Sequence, residues 1–220
     1  PINLSPNVDG YVLPASPLET FASGRQHPVP LLTGLNANEG TLFIPELNPD
    51  TYCLMTSFLY GEHAPEVMKM FPAGNEDEVT AAVDRVVTQL GFAASARFVA
   101  ECMDNIGAPS YLYHFLHKTY DPRADKLGSF HGLEIVYVFG NLEKVQVQGL
   151  TETDRRLSET MMAYWTNFAR MGDPNGEGVP EWPTYGKEAN YQELGSDIAS
   201  KSALFQPSYE FVLRFSGLSP

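Results

Sequence analysis

The chain has 220 residues, of which 43% are apolar and 19% charged, so its length and composition fit one globular domain and exclude extensive disorder. Its formal net charge is −13 and it has no run of Lys or Arg, which excludes nucleic acid as an expected partner. The sequence contains no stretch of 18 apolar residues, so no membrane span is expected, and nothing in it indicates a compartment.

The first clear element in chain order is a buried strand. Residues 1–28 are rich in Pro, Gly and Ser, which favours turns. Residues 29–35 form a short apolar run bounded by turn residues, a pattern typical of a strand buried on both faces of a parallel sheet. The strand is expected to end in a turn over residues 36–40.

Helices are expected between this strand and the next one. Short helices are predicted near 49–60 and 64–70. Asn75 then caps a longer helix, whose first turn carries three acidic residues that suit the positive end of the helix dipole. A further helix covers about 91–105, and the apolar residues 111–116 predict the second strand.

The remaining sequence predicts one long helix and some uncertain elements. Residues 133–139 are apolar but of uncertain type, and the strongest helix lies near 153–170, with Thr151 or Thr153 as its cap. A last strand or short helix is expected near 208–215. The order of strands and helices fits an α/β fold with helices packed on a sheet. Only two or three strands are recognisable, which suggests that partner strands lie outside this chain.

Two side chains are candidates for acid–base chemistry. Glu39 directly follows the first strand, and catalytic groups collect at that edge of α/β sheets, where a carboxylate can orient an imidazole. The alternative is an ordinary turn glutamate. His131 follows the second strand through a polar loop over 118–130, with the exposure that a general base needs. The alternative is a surface or core histidine without a catalytic role.

The order of these two residues is informative. Enzymes of the α/β-hydrolase type carry a triad in the order Ser, acid, His, and here Glu39 precedes His131 by 92 positions. The sequence has no G-x-S-x-G motif and no HGGG-type motif, so the nucleophilic serine is missing. If the two side chains form a pair, the Glu39 carboxylate should lie about 2.6–3.2 Å from a ring nitrogen of His131.

Five segments resemble the type-B carboxylesterases, the family that includes the cholinesterases. They cover much of the chain and occur in the order that the family has. The segments are residues 8–14, residues 34–43 around Glu39, residues 131–140 around His131, residues 165–175 and residues 182–185.

The resemblance implies an α/β-hydrolase fold, with residues 1–220 forming the C-terminal portion of one catalytic domain. It implies hydrolysis of a small-molecule ester through an acyl-enzyme, with Glu39 as acid, His131 as base, and neither cofactor nor metal. The N-terminal portion of the same protein is then the expected partner and carries the serine, so the isolated chain is expected to be inactive. Glu134 resembles a family carboxylate behind the triad; the alternative is a simple buried polar contact.

Two questions stay open at the level of sequence. A non-catalytic, cholinesterase-like binding or adhesion module, or an inactive fragment, is the alternative function, because the nucleophile is missing. Cys53 and Cys102 lie outside any metal-binding spacing, and a disulfide between them is a minor alternative to two free thiols.

Overall fold

The computed structural model describes residues 7–43, 47–119, 122–144 and 149–218, which include one four-stranded sheet. The strands are β1 (Leu31–Asn36), β2 (Ser110–Phe115), β3 (Asn190–Leu194) and β4 (Ile198–Ser202). The α-helices of these residues are α1 (Pro17–Ala22), α2 (Pro49–Tyr60), α3 (Ala64–Met70), α4 (Glu76–Arg85), α5 (Ala94–Asn105), α6 (Pro122–Leu127), α7 (Leu133–Val138), α8 (Glu152–Met171) and α9 (Gln206–Phe215). A 3-10 turn (Gly61–His63) joins α2 to α3, and a π-helical segment (Val86–Ala93) joins α4 to α5.

The helices with strong local signals form where the sequence predicts them. The side chain of Asn75 accepts a hydrogen bond from the backbone of α4, and Thr151 forms a reciprocal capping box with Asp154 at the start of α8. Two further helices, α1 and α6, lie in stretches that the sequence indicated as turns and loop. The uncertain stretches at 133–139 and 208–215 are both helical.

The sheet has the order β1-β2-β3-β4 and is mixed. The first three strands run parallel, and β4 pairs antiparallel with β3. The expectation of two or three strands is wrong, because the hairpin formed by β3 and β4 was missed. These two strands carry Asn, Gln, Glu, Lys and Ser, so they lack the apolar run that identified β1 and β2.

Helices cover both faces of the sheet. Because side chains alternate along a strand, β2 sends Phe115 to one face and Leu112 to the other. On the Phe115 face, α7 and α8 supply the core, in which Tyr164 and Trp182 are fully buried. On the Leu112 face, the small residues of α5, among them Ala100, let the helix pack closely against the strands.

The cysteines form no disulfide: Cys53 is exposed, Cys102 is buried, and both are free. Burial raises the pKa of the Cys102 thiol to about 11, with a further contribution from the neighbouring Glu101. This thiol is therefore protonated near neutral pH and behaves as a small apolar side chain.

Candidate active site

Glu39 lies in the turn that follows β1, and only 4% of its side chain is exposed. One carboxylate oxygen, Oε1, accepts a hydrogen bond from the backbone N–H of Asn36 at 2.6 Å. The backbone N–H of Glu39 donates to Oγ1 of Thr88 at 3.0 Å. The backbone N–H of Asn36 thus fixes the Glu39 carboxylate, and Thr88 of the π-helical segment fixes the backbone of the turn.

A second buried carboxylate, Asp84 near the end of α4, contacts the same turn. Its Oδ1 accepts from the backbone N–H of Gly40 at 2.9 Å, and its Oδ2 accepts from the side-chain amide of Asn38 at 2.8 Å. The hydroxyl of Thr88 also donates to Oδ1 at 3.4 Å. Asp84 and Thr88 lie four residues apart on one face of the helix, so both side chains can bind the turn.

The loop between α6 and α7 brings His131 to the turn. Asn38 and Phe130 form a parallel β-bridge, in which the backbone N–H of Asn38 donates to the carbonyl of Ser129 at 3.1 Å. The backbone N–H of Ser129 donates in return to Oδ1 of Asn38 at 3.0 Å. Gly128 has a φ of +62°, and a Cβ there would lie 2.1 Å from Oδ1 of Asn38, so the loops approach this closely only with glycine at this position.

The two residues that the sequence pairs are in contact. Nδ1 of His131 lies 2.5 Å from Oε2 of Glu39, slightly shorter than the expected distance. While the acid is buried, 45% of the His131 side chain is exposed, and its ring rests between Phe43 and Phe92, with ring centroids 5.4 and 5.3 Å away. Since Nδ1 is engaged by Glu39, Nε2 is the ring nitrogen left for proton transfer to a substrate.

Burial raises the pKa of Glu39 above its ordinary value. Hydrogen bonds from Asn36 and His131 oppose this effect, and the negative charge of Glu134 adds to it. The ionised acid is thus poorly solvated and depends on the imidazole for stabilisation.

Glu134 contacts Asn36, the last residue of β1, rather than the imidazole of His131. The side-chain amide of Asn36 donates to Oε2 of Glu134 and to the carbonyl of Phe130, the latter at 2.8 Å. Glu134 is only partly buried and lies in the first turn of α7. Its position behind the pair is compatible both with the role implied by the resemblance and with a polar contact that links the two loops.

Four residues of this site were not predicted from the sequence. Asn36, Asn38, Asp84 and Thr88 each bind the backbone or side chains of the two loops. A signal existed for two of them: Asp84 and Thr88 are polar residues four positions apart in a helical stretch whose other buried residues, such as Val79, Ala82 and Leu90, are apolar. For Asn36 and Asn38, turn chemistry masked the role of the side chains.

Two other histidines are buried outside this site. His117 lies at the end of β2, and its Nε2 is 2.9 Å from Oδ1 of Asp154. His114 lies within β2, between the rings of Tyr191 and Phe205, and burial lowers its pKa to about 4.

No group of three or more His, Cys, Asp or Glu side chains that could bind a metal occurs in the part of the chain that the structure describes. In that same part, no helix is long and apolar enough to cross a membrane.

Comparison with known families gives the site its context. The model of the carboxylesterase family matches residues 1–212. The chain belongs to the carboxylesterase family. Curated relatives include mouse (Mus musculus) carboxylesterase 1C, 30% identical over 217 residues, and bovine (Bos taurus) carboxylesterase 4A, 34% identical over 215 residues. The alignments cover 89% and 87% of this chain but only 39% and 38% of those relatives.

The fold is shared with solved esterase structures. A thermophilic PNB esterase superposes with a TM-score of 0.77 at 27% identity, over 94% of this chain and 43% of that esterase. A second PNB esterase gives a TM-score of 0.76 at 26% identity. The chain therefore has an α/β-hydrolase fold in part, and it spans about two fifths of the length of the proteins it matches.

Proposed function

We propose that this chain supplies the acid, Glu39, and the base, His131, of a carboxylic ester hydrolase that works through a Ser-Glu-His acyl-enzyme mechanism. The contact of 2.5 Å between Glu39 and a half-exposed imidazole carries this proposal. The alternative of a non-catalytic binding module is less favoured, because such a module has no need for an acid–imidazole pair held by this many hydrogen bonds.

The proposed reaction assigns one step to each group. Nε2 of His131 removes the proton from a serine hydroxyl as the serine oxygen attacks the ester carbonyl. The resulting imidazolium is stabilised by Glu39 and gives the same proton to the leaving alcohol, which leaves an acyl-enzyme. In the second half, His131 deprotonates water, the water attacks the acyl carbonyl, and the proton returns to the serine.

We propose further that residues 1–220 are the C-terminal portion of one catalytic domain and that the N-terminal portion of the same protein carries the serine. The matched relatives are more than twice as long as the aligned region, and the sequence lacks G-x-S-x-G. Among the described residues β1 is an edge strand: Leu31 and Ala37 donate toward β2, so by alternation the backbone groups of Leu32 and Gly34 point away from it.

The surface beside this edge also supports a missing portion. A groove of about 690 Å³ runs along it from Thr33 and Gly34 and is lined mainly by apolar residues, among them Leu59, Val86, Val87, Leu90, Phe92 and Val99. Phe92 belongs both to this groove and to the wall of His131. An exposed apolar groove and a strand edge without a partner among the described residues are features of interaction surfaces, and here they lie beside His131.

Complementation tests the proposal. We expect the purified chain alone to hydrolyse p-nitrophenyl esters no faster than buffer, and co-expression with the serine-bearing portion to restore hydrolysis that a serine-directed organophosphate blocks. His131→Asn in the same complex should remove the activity. An active isolated chain, or a restored activity that survives His131→Asn, would contradict the assignment.

A further inference from the structure

We propose that Asp84 is a positioning residue that holds the Glu39 turn and the His131 loop against each other, an inference that rests on the proposed function. Asp84 is 6% exposed and comes from α4, far from both loops in sequence. It touches neither reacting group. It acts through Asn38 and Gly40, the two neighbours of Glu39 in the chain, to which it binds at 2.8 and 2.9 Å.

Asn38 connects the two loops in one fixed orientation. Its Nδ2 donates to Asp84 and its Oδ1 accepts from the backbone N–H of Ser129 at 3.0 Å. An ionised carboxylate only accepts and a backbone N–H only donates, so a single orientation of the amide satisfies both partners. Asp84 therefore selects the orientation in which Asn38 binds the histidine loop.

This chain of contacts reaches both members of the pair. Glu39 lies between the two residues that Asp84 binds, and His131 lies two positions after Ser129. Because Glu39 and His131 are 2.5 Å apart on separate loops, a shift of either loop changes their contact directly. A displacement of about 1 Å at a catalytic group can lower a rate about 100-fold.

Asp84→Asn keeps the size and shape of the side chain but disrupts the hydrogen bonds that link position 84 to Asn38 and Gly40. In either orientation the new amide sets its own donor against another donor, Nδ2 of Asn38 or the backbone N–H of Gly40. If Asn38 turns over to relieve the first clash, its donor meets the N–H of Ser129. We expect long-range ¹H–¹⁵N NMR spectra of the full chain in mildly alkaline buffer to show the Nδ1–H tautomer of His131 in the wild type and its loss in Asp84→Asn. In the complemented enzyme, kcat should fall about 10- to 100-fold with KM unchanged.

An exchange of the two side chains provides the decisive variant. In Asn38→Asp/Asp84→Asn, the carboxylate at position 38 accepts from Ser129 and from the new amide, whose oxygen still accepts from Gly40. Asn38→Asp alone places two buried carboxylates together and should behave like Asp84→Asn. We expect the double variant to regain the Nδ1–H tautomer and most of kcat.

Val79→Ala is the matched control. Val79 is fully buried on the same helix but packs in a separate apolar cluster, so its truncation should lower stability and leave the tautomer of His131 unchanged. Wild-type spectra from Asp84→Asn, or a folded double variant without the Nδ1–H tautomer, would overturn the role of Asp84 alone. If Asp84→Asn does not fold, the double variant still decides the question. A wild type that lacks the Nδ1–H tautomer would instead overturn the proposed function, and this inference with it.

Discussion

The part of the chain that the structure describes contains two carboxylate–imidazole pairs, and they are built differently. In the pair of His117 and Asp154, both side chains are buried, with 4% and 1% exposed. In the pair of Glu39 and His131, the acid is equally buried but the imidazole is 45% exposed. The first pair is closed to substrates and the second is open on the side of the base.

The hydrogen bonds to the two acids differ as well. Burial by itself raises the pKa of Asp154, but donors from Thr151, Tyr137 and His117 outweigh it and lower the pKa to about 2. Glu39 has fewer donors, so burial dominates and its pKa is raised. The acid of the closed pair is thus saturated with donors, whereas Glu39 depends on an accessible imidazole.

The largest expected difference between the pairs is in catalysis. Glu39→Gln should lower kcat of the complemented enzyme about 10⁴-fold, because the amide no longer stabilises the imidazolium and favours the wrong tautomer. Asp154→Asn should leave kcat per folded molecule within about threefold, since its hydrogen-bond partners are His117, Tyr137 and Thr151 and not Glu39 or His131. Ester hydrolysis normalised to folded protein measures both. Comparable losses in the two variants would contradict a difference in role between the two pairs.

Stability should show the opposite ranking. Asp154→Asn should cost about 3–5 kcal/mol in the free energy of unfolding at neutral pH, because it removes the buried charge and sets an amide donor where one carboxylate oxygen accepts hydrogen bonds. The folded pKa of Asp154 is depressed, so its contribution is present above the ordinary pKa of the carboxyl and is lost as the pH falls toward about 2. Urea titrations at several pH values should show the wild type approaching the variant in acid. A gap that does not depend on pH would count against the ionised acid as its source.

The smallest expected effect is the pH dependence that Glu39 contributes. Its folded pKa is raised, so its contribution is full below its ordinary pKa and is lost as the pH rises through the folded pKa. As the pH rises through the acidic range, the free energy of unfolding of Glu39→Gln should therefore increase relative to that of the wild type. For Asp154→Asn the same difference should change in the opposite direction. The same urea titrations measure it. If the variant instead becomes less stable relative to the wild type over that range, Glu39 is better solvated than the structure indicates.

The sequence indicates the acid and the imidazole more clearly than the residues that connect their two loops. Glu39 and His131 stand out because each follows an apolar strand, and strand ends gather at one edge of an α/β sheet. Asp84 and Asn38 do not stand out, because a helix polar residue and a turn asparagine have many ordinary uses. Their bond joins positions that are 46 residues apart, and no periodicity along the chain encodes such a contact.

The amino-acid sequence alone determined the elements with strong local signals, namely two apolar strands, the capped helices α4 and α8, and the order of acid before base. The tertiary structure decided the rest: the β3–β4 hairpin, the helical state of residues 133–138, and the approach of the two loops. Local elements follow from side-chain periodicity and capping, which act over a few residues. The position of an imidazole beside a carboxylate follows from packing and hydrogen bonds between distant segments, which exist only once the chain has folded.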